Sequence, residues 1–186
     1  DAFGSRALAD RLDQTLRHSE FTPGDAAFIA EQSFFFLATA DGEGRPDCSF
    51  KGGPAGFVKV AAPNELIFPD YDGNGMFKSL GNLVVNTNVG LLFIAIHDKP
   101  KRLRVNGSAS VSHDDPLLAE TVGAQLIVRV QARAIFPNCP RYIPDMQLVD
   151  PSIYAPRPGY DAPEPVWKDF EIFKDWVHPR QPTFGG

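Results

Sequence analysis

The residue types best suited to hold an anionic cofactor are concentrated between Lys51 and Ser79. The stretch begins K-G-G-P-A-G-F-V-K-V, continues through a β-like L-I-F, and ends P-D-Y-D-G-N-G-M-F-K-S-L. It predicts a glycine-bearing strand, a second short strand, a turn of small residues, and a helix that opens with a cation and a hydroxyl. Backbone amides, lysines and a hydroxyl that converge after strands are the donors that a phosphate group requires. The stretch is therefore predicted to bind a flat cofactor that carries a phosphate.

Lys78 and Ser79 are the predicted phosphate ligands at the start of that helix. A dianionic phosphate needs a cation and several hydrogen-bond donors, and its charge would reverse the small cost of a lysine in the first turn of a helix. The competing interpretation is a solvated surface lysine, the usual situation for this residue type. Lys59, in the apolar strand F-V-K-V, either points at an anionic group or extends from the strand into solvent.

Two arginines, Arg102 and Arg104, share one face of the predicted strand R-L-R-V-N-G-S-A-S-V. Small polar residues complete that face, which indicates contact with an anion or an ion pair with another subunit. The opposite face is apolar by strict alternation and is predicted to point into the core. Its members are Leu103, Val105, Gly107 and Ala109.

Composition excludes several classes of protein. The 186 residues are 43% hydrophobic, which favours one folded domain with a substantial core over disorder. The net charge of −5 does not favour nucleic acid or an anionic membrane as a partner. No apolar run approaches the roughly 20 residues of a membrane span. The first residues lack the basic start and apolar centre of a signal peptide, so a cytoplasmic location is predicted.

Other catalytic chemistries find no support in the motifs. Cys48 and Cys139 are far apart in the chain, and free thiols are favoured over a disulfide. No set of His, Cys and acidic residues has the spacing of metal ligands, so no metal site is predicted. The sequence contains no G-x-S-x-G, P-loop or HExxH motif.

The elements that must position these residues are mostly strands. Alternation and turn residues predict strands at 33–40, 47–51, 57–60, 65–69, 89–96, 102–111 and 124–136. The strand at 89–96 is strongly apolar and is expected to be central and covered on both faces. Helices are predicted at 5–18, from Pro23 to near 32 with Thr22 as its cap, at 75–85 and at 114–122. Six or seven strands with few long helices predict a mainly β protein, an antiparallel barrel or sandwich.

The chain is predicted to form a single domain with three parts. Residues 1–32 form helices that pack on the barrel, 33–137 form the barrel, and 138–186 form a proline-rich wrap and an aromatic helix. The helix is placed at 166–177 because its aromatic residues recur at helical spacing. Trp167 and Trp176 there either cover a ligand as a lid or simply pack.

Several of these stretches resemble the pyridoxamine 5′-phosphate oxidase-like flavoproteins. The resemblance covers residues 33–144 and is carried by KGGPAGFVK, FPDYDGNGMFKSLGN, VGLLFI, KRLRVNG and IFPNCPRYI. It implies an FMN-binding split β-barrel with flanking helices and six to seven antiparallel strands. It also implies a homodimer that holds two FMN molecules in grooves at the subunit interface.

The resemblance also implies roles for individual residues. Residues 54–59 correspond to a strand under the flavin ring, Pro69 and Asp70 to a strand end near the ribityl chain, and Lys78 and Ser79 to the phosphate ligands. Arg102 reaches the ring edge from a partner strand, and Lys59 and Arg102 are the candidates for electrostatic tuning of the flavin. The full implied cofactor site is Lys51, Pro54, Gly56, Phe57, Val58, Lys59, Pro69, Asp70, Asn74, Gly75, Met76, Lys78, Ser79, Arg102 and Arg141.

The implied function is an FMN-dependent oxidoreductase that acts on a small organic substrate or on NADH or NADPH. The basic residues that hold the vitamin phosphate in the true oxidases, and their C-terminal Arg and Trp, have no counterparts in this sequence. The resemblance therefore indicates an uncharacterised branch of the family instead of the true oxidase. Two alternatives stay open: a non-catalytic protein that binds flavin, haem or F420 in the same groove, and an interaction module that has lost the cofactor.

Overall fold

The computed structural model describes residues 2–95 and 100–177. These residues form a mainly β protein in which three α-helices and two 3₁₀ turns accompany seven strands. The helices are α1 (Arg6–Leu16), α2 (Pro23–Ala30) and α3 (Lys78–Val85), and the 3₁₀ turns are Pro116–Glu120 and Val166–Asp169. The strands are β1 (Phe34–Ala40), β2 (Pro46–Gly52), β3 (Lys59–Ala62), β4 (Glu65–Tyr71), β5 (Asn88–Ala95), β6 (Lys101–Ser112) and β7 (Ala124–Asn138).

The seven strands form one antiparallel sheet in the order β2-β1-β5-β6-β7-β4-β3. The two longest strands, β6 with 12 residues and β7 with 15, pair with each other near the middle of this sheet. The mainly β prediction is confirmed. The predicted alternation of β6 is also confirmed, because Leu103, Val105 and Ala109 are buried while Arg104 is exposed.

The core is rich in phenylalanine, and Phe35 of β1 lies at its centre. Its ring is fully buried and lies 5.0 Å from the ring of Phe68 and 5.2 Å from that of Phe93. Phe57 completes this cluster at 5.9 Å. Aromatic rings at these separations add attraction to the burial of their apolar area, and they join β1, β4 and β5 with the turn before β3.

The strand β3 begins two residues later than predicted. Pro54 and Phe57 instead close a turn, in which the amide of Phe57 donates to the Pro54 carbonyl at 3.0 Å. Gly56 has a φ of 81°, a conformation that favours glycine. Residues 54–57 are therefore a turn, and the expected continuous strand over 54–59 is wrong.

The prediction that the fifth strand is covered on both faces is wrong for the chain by itself. Along β5, burial alternates: Val89, Leu91 and Phe93 face the core, whereas Leu92 is only half-buried. The strand is nevertheless central, between β1 and β6. Ile96, the last residue of the predicted strand, lies outside the described residues.

The two N-terminal helices differ in their packing. Phe28 and Ile29 of α2 are buried in the core, and α2 contacts β3. No residue of α1 is buried, and Leu8, Leu12 and Leu16 of its apolar side are exposed. The packing of α1 on the barrel stays a prediction. None of the helices in residues 2–95 and 100–177 is both long and apolar enough to cross a membrane.

The start of α2 is stabilised by the predicted cap at Thr22. The Thr22 hydroxyl accepts from the Asp25 amide, and the Asp25 carboxylate accepts in return from the Thr22 amide and hydroxyl. His18 Nε2 lies 2.9 Å from the same carboxylate. Burial alone would raise the pKa of Asp25, but the hydrogen bonds from Thr22 and His18 outweigh it and lower that pKa.

Replacing Asp25 with alanine is expected to lower the free energy of unfolding by about 2 kcal/mol at pH 7, because the capping box is lost. The folded pKa is lowered, so this stabilisation is present above the unfolded pKa of about 3.9 and disappears as pH falls through the folded value. The difference between wild type and Asp25→Ala should shrink below about pH 4 in urea unfolding. Asp13→Ala, which removes only an exposed pair with Arg17, should cost about 0.5 kcal/mol or less. An equal loss for both variants would contradict the assignment.

Candidate functional site

A groove of about 990 Å³ lies between the barrel and the C-terminal segment. One wall is built by β2, the loop after β4 and the start of α3, and the other by residues after Pro165. Its volume lies at the upper end of the range for ligand pockets, about 300–1,000 Å³. Seven residues of the predicted cofactor site line it: Lys51, Asp70, Asn74, Gly75, Met76, Lys78 and Ser79.

The N-terminus of α3 lies at one end of the groove, here termed the anion end. Within residues 2–95 and 100–177 no side chain caps this helix, so the amides of its first turn can bind a ligand or solvent. Phe77, the residue before the helix, has a φ of 49°, which is strained for a bulky side chain. The strained residue turns the chain so that the helix opens into the groove with Lys78 and Ser79 in its first turn.

A hydroxyl pair and an unpaired cation accompany this helix terminus. Ser49 Oγ of β2 lies 2.9 Å from Ser79 Oγ, and this contact joins β2 to the first turn of α3 within one wall of the groove. Among the described residues, Lys78 makes no ion pair with a carboxylate. A helix N-terminus, an ammonium group and two hydroxyls are together suited to bind a phosphate.

The floor of the groove carries an ion pair that the sequence did not predict. Lys51 Nζ donates to Asp70 Oδ1 at 3.2 Å, and the Asp70 side chain is only 9% exposed. Burial raises the pKa of Asp70, although the nearby Lys51 ammonium opposes that change. Lys51 is thus already paired within the chain, and Asp70 is a buried carboxyl group at the floor of the groove.

The second cavity, of about 200 Å³, lies on the other side of β4. Tyr71 lines both cavities and separates them, and burial raises the pKa of its hydroxyl to about 12. Five residues of the predicted site line this smaller cavity: Pro54, Gly56, Phe57, Lys59 and Pro69. Val58 points into the core and is 1% exposed.

Besides Val58, two other predicted site residues, Arg102 and Arg141, line neither cavity. Arg102 donates from its guanidinium group to the carbonyl of Cys139, and its Nε is buried without a hydrogen-bond partner among the described residues. Arg141 is exposed in a turn after β7. Within this chain, therefore, neither arginine meets Lys78 or Lys59. Their predicted approach to the flavin from a second subunit stays a prediction.

The C-terminal segment contributes side chains that were not assigned to the site. Trp167, Phe173 and Trp176 line the groove, together with Lys168 and Val177. The segment is a 3₁₀ turn followed by further turns, so the predicted continuous helix at 166–177 is wrong. Helical spacing of aromatic residues was the only signal available, and it did not indicate which surface they would contact.

The described residues contain no group of three or more His, Cys, Asp and Glu side chains placed to hold a metal ion. Cys48 and Cys139 are both free and exposed. His113, at the end of β6, lines the groove as a single imidazole. The groove is therefore lined by lysines, hydroxyls, the carboxyl groups of Asp47, Asp70 and Asp72, and aromatic rings.

Known proteins resemble this chain in fold over most of their own length. A protein of Lactobacillus delbrueckii, provisionally named a pyridoxamine 5′-phosphate oxidase, is 21% identical with a TM-score of 0.51, over 66% of this chain and 99% of its own. A conserved hypothetical protein of Mycobacterium tuberculosis is 16% identical with a TM-score of 0.50, over 73% and 98%. HupZ of Group A Streptococcus is 15% identical with a TM-score of 0.50, over 63% and 93%. Identities this low show the fold alone.

Curated proteins provide no match to the sequence. A family profile does: residues 21–150 match the family described as Pyridoxamine 5′-phosphate oxidase. The matched range spans the strands of the barrel, the anion end of the groove and the start of the proline-rich segment. The chain therefore belongs to the pyridoxamine 5′-phosphate oxidase family.

Proposed function

We propose that this chain is an FMN-dependent oxidoreductase that acts on a small organic substrate or a nicotinamide cofactor. The observation that carries the proposal is the anion end of the groove. At this end lie the uncapped N-terminus of α3, Lys78, which makes no ion pair within the described residues, and the Ser49–Ser79 hydroxyl pair. The cavity that they border is large enough for FMN.

The residues present fit FMN in charge and shape. Lys78, Ser79 and the first-turn amides of α3 would hold the phosphate, and the aromatic side chains at the C-terminal wall suit a flat ring. The flavin, when bound, supplies the hydride chemistry. The hydrogen bond from Lys51 keeps the buried carboxyl group of Asp70 oriented at the floor of the groove. Tyr71 stays protonated at neutral pH because its pKa is about 12.

The visible spectrum of the purified protein tests this function. A flavin spectrum, with FMN released on denaturation, is the expected result. Anaerobic bleaching by NADH or NADPH would then identify the electron donor. Bound FMN that no donor bleaches would favour a non-catalytic flavin protein. A Soret band would identify haem, a deazaflavin spectrum F420, and a colourless protein that refuses FMN would overturn the proposal.

We also propose that two copies of the chain associate through the outer face of the sheet. Phe50 of β2 is 62% exposed, and its ring lies 5.3 Å from that of Phe34 and 6.0 Å from that of Phe36. Leu92 of β5 pairs with Phe36 in register and is also only half-buried. An aromatic patch of this kind is typical of a surface that a partner covers.

Replacing Phe50 with glutamate is expected to convert the dimer to a monomer, because a charge would be buried at the interface. Light scattering coupled to size exclusion measures the change at a fixed concentration. Phe3→Glu, at a phenylalanine that is 92% exposed near the N-terminus, is the matched control and should leave the mass unchanged. A wild-type protein that is monomeric, or a dimeric Phe50→Glu, would contradict the assignment of this face.

A further inference from the structure

The C-terminal residues 164–177 are here termed the strap. Lys168 of the strap binds a carboxylate that lines the groove. Lys168 Nζ donates to Asp72 Oδ2 at 2.6 Å and to Glu164 Oε2 at 3.0 Å. Asp72 lies in the loop between β4 and α3, 96 positions earlier in the chain. The Lys168 side chain is 11% exposed, so this is a shielded contact and not a loose surface pair.

The charge on Lys168 is stable at neutral pH. Burial alone would lower the pKa of this ammonium group, but its hydrogen bonds to Asp72 and Glu164 outweigh burial and raise it. Lys168 also neutralises one of the carboxylates that line the groove. Without it, Asp72 would add an unpaired negative charge to a cavity that is proposed to bind an anion.

The strap presents aromatic rings to the groove. The rings of Trp167 and Phe173 meet edge to face, with centroids 6.0 Å apart and planes at 81°. Trp167 is half-buried, and both residues line the cavity opposite β2. A fixed pair of this geometry offers an aromatic surface that a flat ring can contact.

We propose that the strap forms a wall of the ligand site. The ion pair between Lys168 and Asp72, here termed the latch, holds the strap against the groove. Trp167 and Phe173 contact the ring of a flat heteroaromatic ligand. The groove then has two separate recognition ends. The start of α3 recognises the phosphate, and the strap recognises the ring. Where the ligand is FMN, this inference rests on the proposed function.

Riboflavin and FMN separate the two ends, because riboflavin has the ring and lacks the phosphate. Each is titrated against wild type and Trp167→Ala by flavin fluorescence. Loss of one ring contact is expected to weaken both ligands by the same factor, about tenfold. Ile172→Ala, at a strap position that is 72% exposed, is the control and should change neither affinity. Unchanged affinity of Trp167→Ala for both flavins would overturn the proposal that the strap forms a wall of the ligand site.

The latch is tested without any ligand by hydrogen exchange of residues 164–177. Lys168→Met is expected to increase exchange across the strap, whereas Lys174→Met, which breaks only a pair with Glu171 inside the strap, should not. Equal exchange in wild type and Lys168→Met would overturn the latch. A wild-type protein that binds neither flavin would overturn the proposed function, and the exchange result would still decide the latch.

Discussion

FMN affinity is expected to fall at least a hundredfold when Lys78 and Ser79 are both replaced with alanine. In the proposed site each side chain would make a charge-assisted hydrogen bond to the phosphate, and two such bonds contribute about 3 kcal/mol. That energy corresponds to roughly two decades in Kd. Titration of apoprotein with FMN, followed by flavin fluorescence, gives the dissociation constants of the wild type and of the double variant.

Riboflavin distinguishes a lost phosphate contact from a damaged groove. Its affinity should be the same for wild type and the double variant, because it carries no phosphate. Arg11→Ala, on the exposed face of α1, removes one positive charge outside the groove and should leave both affinities unchanged. Equal weakening of FMN and riboflavin in the double variant would contradict an anion site at the start of α3.

Replacing Gly107 with alanine is expected to destabilise the protein by about 3 kcal/mol. Gly107 lies in β6 where its register with β7 shifts, and the two backbones approach closely. A Cβ there would overlap the Gln131 carbonyl oxygen and lie 2.9 Å from its carbon and 3.1 Å from Cα of Ala132. All of these are backbone atoms, so the longest strand pair of the sheet would have to separate.

Gly81→Ala is the matched control for this change. Gly81 lies within α3, and a Cβ at this position meets no atom within 4 Å. Alanine should therefore raise the free energy of unfolding there, by about 0.5–1 kcal/mol. Urea unfolding of the two variants gives changes of opposite sign. A Gly107→Ala protein as stable as wild type would show that β6 and β7 can relax at the register shift.

Much of the fold could be predicted because local patterns report directly on burial. The alternation from Arg102 to Val111 located β6 and the face that points into the core. The pair Thr22 and Pro23 located the start of α2, since a hydroxyl cap and a proline both suit the first turn of a helix. The order of strands and turns was therefore accessible before any contact was known.

The candidate site was only partly predictable, because its residues come from segments distant in sequence. Lys51 was assigned to the cofactor, yet in the folded chain it pairs with Asp70 of a different strand. The residues around Pro54 and Lys59 were grouped with Lys78, yet β4 and Tyr71 separate them into another cavity. Ser49 was not among the predicted site residues, because its contact with Ser79 depends on where α3 packs.

By itself, the sequence determined that the chain forms a mainly β domain and that Lys78 and Ser79 open a helix after a turn of small residues. Both are local properties, since caps, turns and alternation depend on neighbours a few positions away. Only the tertiary structure decided that the strap lies across the groove and that Lys168 reaches Asp72. Helical spacing of aromatic residues predicted a helix, but the path of the strap follows from the surface that its aromatic rings meet and from the carboxylate that Lys168 meets.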